Sequence, residues 1–186
     1  MDLKKITHVD CGGYPGYMVD YWLKQGVKNP IFIDKVLPNK SSETQVIKKN
    51  IQKKFGIILE EPILRDNIMD YYILGDVFEV ISQFENQQIE QFTTHYFLHY
   101  FSFETINNYF SLIRNKLSST GILTITMPES LLFLIKKSAE KNNFQLIKYI
   151  FDFELITQQM KINAALREIN QYDFNDIQLT LAPKGN

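Results

Sequence analysis

The chain has 186 residues, 45% of them hydrophobic and 22% charged, and a formal net charge of -1. This balance indicates one folded globular domain over residues 1–186 and argues against a disordered chain, a coiled coil or a general nucleic-acid coat. The single cysteine, Cys11, excludes an internal disulfide and a multi-cysteine zinc site, and we predict no metal.

The predicted elements alternate between short apolar strands and amphipathic helices. Apolar residues at helical spacing, as at Met18, Tyr21 and Trp22, mark the helices, and no element is assigned to residues 57–70. In chain order, the predicted strands are 6–11, 30–33, 71–74, 92–98, 122–126, 144–151 and 177–181, and the predicted helices are 17–25, 41–55, 78–84, 104–117, 128–142 and 154–169.

This alternation predicts an α/β fold. Strands that are joined by helices of about 10 to 15 residues make right-handed crossovers and form a mostly parallel sheet. We therefore expect a seven-stranded sheet with helices on both faces, in which the last two strands form an antiparallel edge pair. Ligands bind such sheets beyond the carboxyl ends of the strands, so the residues at those ends are the candidates for function.

A glycine-rich loop, Asp10-Cys11-Gly12-Gly13-Tyr14-Pro15-Gly16, follows the first predicted strand. Glycine lets the backbone approach a ligand closely because no Cβ intervenes, and the next helix presents its N-terminus at this place. The same residues would also build a tight turn that binds nothing. The loop alone therefore leaves both interpretations open.

Acidic residues end the next two predicted strands. Asp34 follows the second strand, where a carboxylate accepts hydrogen bonds from a ribose diol, and Asp76 follows the third, where it suits the exocyclic amine of adenine. Each acid alone is equally explained as a helix N-cap or a turn residue. Together with the glycine loop they predict a nucleoside pocket, and the absence of a G-x-x-x-x-G-K-[ST] sequence excludes a P-loop.

With these residues the chain resembles the class I S-adenosylmethionine-dependent methyltransferases, from Ile6 to about Leu181. The resemblance implies a Rossmann-like methyltransferase fold and S-adenosyl-L-methionine as the cofactor. Tyr14 stands where that family usually has its middle glycine, and the loop also looks like the G-x-x-P-G loop of ribose 2'-O methyltransferases. By resemblance, the cofactor-binding residues are Asp10, Gly12, Gly13 and Gly16 for the methionine part, Asp34 for the ribose and Asp76 for the adenine.

A second stretch, Tyr96-Phe97-Leu98-His99-Tyr100-Phe101-Ser102-Phe103-Glu104, is similar to the mRNA cap guanine-N7 methyltransferases. Their fourth strand ends in aromatic-x-x-His-Tyr-Ser-Phe-Glu, and here one residue, Phe101, is inserted. A helix with an asparagine, a turn at Thr120-Gly121 and a strand that ends in Thr126-Met127-Pro128 complete the similarity. It implies that His99 and Tyr100 are catalytic and that Tyr96, Phe103 and Glu104 bind the substrate.

Methyl transfer to guanine N7 suits these residue types. The methylated base is a flat cation that aromatic faces attract, so Tyr96 and Tyr100 would stack on it while His99 bonds a base edge. N7 carries a lone pair and no proton, so the reaction needs positioning and electrostatics rather than a general base. The alternative is an aromatic core strand in which His99 is an internally satisfied histidine.

Other substrates fit less well. Ribose 2'-O transfer needs a base to activate a hydroxyl, and its Lys-Asp-Lys-Glu set lacks an Asp at the end of the fourth predicted strand. Amino methylation of bases usually goes with Asn/Asp-Pro-Pro-Tyr, which is absent. The first strand also begins six residues into the chain, where cap enzymes carry a helical segment. We therefore expect a reduced enzyme, one piece of a larger assembly, or a methyltransferase-like subunit that has lost activity.

Three function hypotheses follow. The first is a methyltransferase that acts on capped RNA or another guanine-containing substrate, and the second is an inactive methyltransferase-like subunit of an RNA-processing complex. The third is a small-molecule methyltransferase.

The 14 Phe and 10 Tyr favour a protein partner. Without a signal peptide or a long apolar run, we expect an intracellular protein, cytoplasmic or nuclear, with no membrane partner. The Ile, Lys and Asn excess is typical of AT-rich genomes, including viral ones.

Overall fold

The computed structural model describes residues 2–14, 16–35, 64–150 and 176–185. The helices predicted at 41–55 and 154–169 lie outside the described residues. Elsewhere the predicted order of strands and helices is found, with shifted ends.

The described strands form one seven-stranded sheet in the order β3-β2-β1-β4-β5-β7-β6. The pairs from β3 through β5 are parallel, whereas β7 runs antiparallel to both β5 and β6. This confirms the predicted parallel sheet with an antiparallel pair at one edge. The strands are β1 (His8–Cys11), β2 (Pro30–Asp34), β3 (Tyr72–Leu74), β4 (Ile89–His95), β5 (Leu117–Pro128), β6 (Phe144–Ile150) and β7 (Asp176–Pro183).

Helices cover both faces of the sheet, as side-chain alternation along β2 shows. Phe32 packs in a cluster with residues of the first helix, while its neighbours Ile31 and Ile33 pack in the larger cluster with the other helices. The described α-helices are α1 (Tyr17–Lys24), α2 (Val77–Ser82), α3 (Phe103–Lys116) and α4 (Leu132–Lys141), and 3₁₀ turns occur at Leu3–Lys5, Ile68–Tyr71, Leu98–Tyr100 and Glu129–Leu131.

Two of the shifted boundaries bear on the candidate site and its neighbouring strand. The fourth strand, predicted at 92–98, is Ile89–His95, because Tyr96 has a φ of 54° and the chain then enters a 3₁₀ turn. The turn predicted at Thr120-Gly121 lies inside β5, where the ladder with β4 shifts register. A Cβ on Gly121 would come within 2.9 Å of the Glu90 carbonyl oxygen, so close strand packing explains this glycine.

Candidate functional site

The loop after β1 is closely packed against its own protein. Gly12 has a φ of 72°, and a Cβ on it would lie 2.6 Å from the Phe97 ring. Gly16 begins α1 with a φ of 103°, and a Cβ there would lie 2.9 Å from the Phe32 ring. A Cβ on Gly13 would overlap the Asp10 carboxylate. Contacts within the chain therefore suffice to explain these glycines.

The backbone donors of this loop are also used internally. Gly12 N–H donates to the Ile33 carbonyl at 2.9 Å, and Gly16 N–H donates to the Gly13 carbonyl at 2.7 Å. Tyr14 N–H donates to Asp34 Oδ2 at 3.3 Å. A ligand at this loop would consequently be held by side chains and carbonyl groups more than by these N–H groups.

Asp10 is a buried carboxyl group directly beneath the loop. Thr93, its register partner on β4, donates its hydroxyl hydrogen to Asp10 Oδ1 at 2.7 Å. Burial raises the pKa of Asp10 to about 7, although the Thr93 hydrogen bond acts in the opposite direction. Near neutral pH, Asp10 is therefore poised to ionise when a cationic group comes close.

Tyr14, the residue in place of the usual glycine, packs on the β2–β3 side of the loop. Its ring centroid is 6.0 Å from that of Tyr72, which stacks on Phe32 at 4.8 Å. The Tyr72 hydroxyl donates to the Asp34 carbonyl at 2.9 Å. Tyr14 thus borders the predicted ribose position at Asp34.

Asp76 is the N-cap of α2. Its Oδ1 accepts hydrogen bonds from the N–H groups of Phe78 at 2.8 Å and Glu79 at 3.2 Å, and Oδ2 pairs with Lys35. Burial acts to raise the pKa of Asp76, but the Lys35 ammonium and the two N–H donors lower it overall. The capping interpretation is therefore realised in the structure, while the adenine contact stays a prediction.

The predicted guanine segment turns away from the sheet after β4. Tyr96 is buried and donates its N–H to the Thr126 carbonyl at 2.9 Å, and the buried Leu98 anchors the 3₁₀ turn. His99 and Tyr100 are exposed, with ring centroids 3.8 Å apart. The alternative of an aromatic core thus holds for Tyr96, but His99 is not an internal histidine.

The inserted Phe101 has a packing role. Its ring contacts Phe97 at a centroid distance of 4.8 Å and Phe78 at 6.0 Å, both edge to face. Ser102 then caps α3, since its Oγ accepts the Thr105 N–H at 3.2 Å. Phe101 thus lies between the exposed pair His99 and Tyr100 and the N-cap of α3 at Ser102.

Phe103 and Glu104, predicted to bind substrate, occupy the first turn of α3. Phe103 is half-buried, and the Lys137 ammonium of α4 lies 5.3 Å from its ring centroid. Glu104 is exposed. The structure therefore gives both residues positions at the start of a helix, next to the outward-facing pair His99 and Tyr100.

The sequence pattern assigns no role to His95, because the strand is predicted to end three residues later. His95 Nδ1 lies 2.8 Å from Thr126 Oγ1, to which Gln178 Nε2 donates at 3.3 Å. Its Nε2 is buried and has no hydrogen-bond partner among the described residues. Burial lowers the pKa of His95 to about 3. A strand predicted to end at His95 would have placed this residue among the candidates at the carboxyl ends of the strands.

Two further features are absent from the described ranges. No group of three or more His, Cys, Asp or Glu side chains there is arranged to hold a metal ion. None of the helices in that part of the chain has the length and apolarity to cross a membrane.

Sequence comparisons find no relative: no protein-family model matches, and no curated protein matches. Solved structures do match. A putative S-adenosylmethionine-dependent methyltransferase from Listeria monocytogenes is similar over 100% of this chain and 94% of its own, at 13% identity and a TM-score of 0.60. The chain has the fold of class I methyltransferases.

Two other methyltransferases support this assignment of the fold. A TehB-like S-adenosylmethionine-dependent enzyme from Corynebacterium glutamicum matches 96% of this chain and 80% of its own, at 13% identity and a TM-score of 0.58. The 30S ribosomal A1408 methyltransferase from an uncultured bacterium matches 96% and 88%, at 20% identity and 0.55. The predicted Rossmann-like methyltransferase fold is confirmed, and such low identities establish the fold alone.

Proposed function

We propose that this protein is an S-adenosyl-L-methionine-dependent methyltransferase that acts on RNA, with guanine N7 of an mRNA cap as its target. The contact between Gly12 and Phe97 carries the proposal. It joins the loop predicted to hold the cofactor to the segment predicted to hold guanine, at the carboxyl ends of β1 and β4. In parallel sheets this edge is where ligands bind.

The residues at this edge suit the cofactor. Asp10, buried beneath the loop, offers a carboxylate to the cofactor's ammonium group, and Asp34 at the end of β2 offers one to the ribose hydroxyls. S-adenosyl-L-methionine supplies an electrophilic methyl group when it is bound. The protein's own task is then to hold the acceptor nitrogen in line with that group and to exclude water.

The exposed rings support an RNA substrate. Tyr100 is 76% exposed, and its ring forms a tilted pair with that of His99, with 40° between the ring planes. An exposed aromatic pair beside a nucleoside site is suited to stacking on a base. A similar fold serves an RNA substrate in the ribosomal A1408 methyltransferase, as its name states. A cap guanine is the more specific proposal, and it rests on the His99-Tyr100 resemblance.

A non-catalytic subunit with a protein partner is the second candidate, and the loop itself favours it. The N–H groups of Gly12, Tyr14 and Gly16 are bonded within the protein, and Asp76 is occupied by its cap and by Lys35. Such a loop would be stable with no ligand present. In that case the exposed Tyr100 would serve protein contact.

A methyl-transfer assay on capped and uncapped RNA of one sequence tests the proposal. We expect transfer to capped RNA only, and we expect Tyr100→Ala to reduce it by roughly tenfold or more, because base stacking contributes about 1–3 kcal/mol. Tyr21→Ala, which removes an exposed tyrosine of α1, is the matched control and should leave transfer unchanged. No transfer to either RNA, despite normal folding, would support the non-catalytic subunit instead.

A further inference from the structure

His95 closes β4 at the edge where the proposed ligands bind. It is the register partner of Thr126 on β5. On the other side of β4, Thr94 pairs with Cys11, the last residue of β1. Gly12 is the residue after Cys11, so His95 lies beside the start of the glycine loop.

The two ring nitrogens of His95 have different surroundings. Nδ1 is 2.8 Å from the Thr126 hydroxyl, whereas Nε2 is buried and unpaired within the part of the chain that the structure describes. Because Nδ1 is engaged by Thr126 of β5, Nε2 is the ring nitrogen that remains for a ligand at this edge of the sheet. Buried polar atoms in native proteins are nearly always paired, so an unpaired one at a ligand edge requires a functional explanation.

The Thr126 hydroxyl can donate to His95 Nδ1, and this arrangement places the imidazole proton on Nε2. Gln178 Nε2 donates to Thr126 Oγ1 at 3.3 Å, so the hydroxyl oxygen is an acceptor in that bond. Its own hydrogen remains available for His95 Nδ1, which lies 2.8 Å away. An Nδ1 that accepts a hydrogen bond in a neutral ring leaves the proton on Nε2.

We infer that His95 is a specificity-determining residue whose Nε2–H donates a hydrogen bond to an oxo group of the substrate base. This inference rests on the proposed function and gives the substrate site a preference for guanine over adenine. Guanine carries the O6 acceptor next to N7, where adenine carries an amino donor. A fixed donor therefore pairs with guanine and faces an unfavourable donor in adenine.

The chemistry of His95 agrees with a donor and not with a base. Its burial disfavours the imidazolium form, and no charged side chain contributes to its pKa shift, so the ring is neutral at physiological pH. A neutral ring with its proton on Nε2 has no lone pair to offer at that atom. Methyl transfer to N7 needs no general base, so His95 as a hydrogen-bond donor is compatible with guanine N7 as the methyl acceptor.

The tautomer is measured first, without any ligand. In ¹⁵N-histidine-labelled protein, long-range ¹H–¹⁵N spectra should show one histidine with its proton on Nε2 and no titration between about pH 5 and pH 8. Loss of that signal in His95→Gln assigns it, and His8 and His99 remain as internal references. Thr126→Val removes the hydroxyl donor and should disturb this tautomer. A proton on Nδ1, or a titrating His95, would overturn the inference.

Nucleotide binding then tests the base preference, with S-adenosylhomocysteine present. GTP and ITP both carry the oxo group, and we expect each to bind roughly tenfold or more tightly than ATP, the usual effect of one hydrogen bond. His95→Leu should remove this preference, while His95→Gln, which keeps an N–H donor, should retain most of it. Melting temperatures identify any variant that does not fold. If His95→Leu does not fold, the nucleotide preference of His95→Gln is compared with that of the wild type.

The two proposals fail in different ways. If folded His95→Leu binds S-adenosylhomocysteine and still prefers GTP over ATP, the inference is wrong and the proposed function stands. Equal binding of the three nucleotides by the wild type, or no binding of any of them, also overturns it. If the wild type does not bind S-adenosylhomocysteine, the proposed function fails whatever the tautomer is.

Discussion

Two titratable side chains, the buried Asp10 and the half-buried His95, give the site opposite responses to pH. The pKa of Asp10 is raised to about 7 from 3.8, and the pKa of His95 is lowered to about 3 from 6.5, in both cases chiefly by burial. Burial disfavours the charged form of each group. Both groups are therefore neutral in the folded protein through the weakly acidic range, where the unfolded chain carries both charges.

The stabilising effect of neutral Asp10 should be lost as pH rises. Its folded pKa lies above its unfolded pKa, so this contribution is present below about pH 4 and disappears as pH rises to about 7. Asp10→Asn removes the titration. We expect urea unfolding from about pH 4.5 to 7.5 to show that the unfolding free energy of Asp10→Asn rises steadily relative to that of the wild type. A difference independent of pH would contradict the assigned shift.

His95 should show the opposite dependence. Its folded pKa lies below its unfolded pKa, so its contribution is present above about pH 6.5 and is lost as pH falls towards 3. His95→Gln should therefore lose less unfolding free energy than the wild type on acidification. His99→Gln changes an exposed histidine whose pKa is also lowered by partial burial, and it should show the same effect to a smaller extent. Identical acid dependence of all three proteins would show that His95 titrates normally.

Cofactor binding should release a proton through Asp10. Near pH 7 this group is about half protonated, and the cofactor's ammonium group would favour its charged form. We expect S-adenosylhomocysteine binding to release roughly half a proton, seen as a dependence of the calorimetric enthalpy on the ionisation enthalpy of the buffer. Asp10→Asn should abolish this dependence. Proton uptake on binding would contradict the role given to Asp10.

At the level of elements, two variants of Asp76 distinguish its role as a helix N-cap from a role in ligand binding. Asp76→Ala should destabilise the protein by about 1 kcal/mol, the usual loss for an N-cap. Asp76→Ser keeps a capping oxygen but shortens the side chain. It should therefore retain the unfolding free energy and bind S-adenosylhomocysteine more weakly if Asp76 also contacts adenine. Unchanged affinity in the Ser variant would leave Asp76 with the capping role alone.

The end of β4 shows why sequence patterns locate an element better than its boundary. The stretch from Phe92 to Leu98, which is rich in aromatic and β-branched residues, predicts a strand, but Tyr96 adopts a positive φ and ends it early. Nothing in the alternation of side chains signals that backbone angle. The early end exposed His99 and placed His95, instead of Leu98, at the ligand edge.

For the whole molecule, the order of elements was enough to predict the sheet, its antiparallel pair and the helices on both faces. Each rests on long periodic segments, the most reliable signals in a sequence. The candidate site was predicted only in part. Glycines and acids identified the right loops, but the packing of Phe97 on Gly12 and the capping by Asp76 depend on distant residues, which spacing along the chain does not show.

Calorimetric titration with S-adenosylhomocysteine is the measurement that tests the central claim most directly. We predict that the wild type binds it and that Asp34→Ala weakens binding by about 1.5–3 kcal/mol, the range for hydrogen bonds to a charged group. Asp66→Ala, which removes an exposed aspartate elsewhere, should bind like the wild type, and all three proteins should melt at similar temperatures. A folded wild type that does not bind, or an Asp34→Ala variant with unchanged affinity, would contradict the proposed cofactor site.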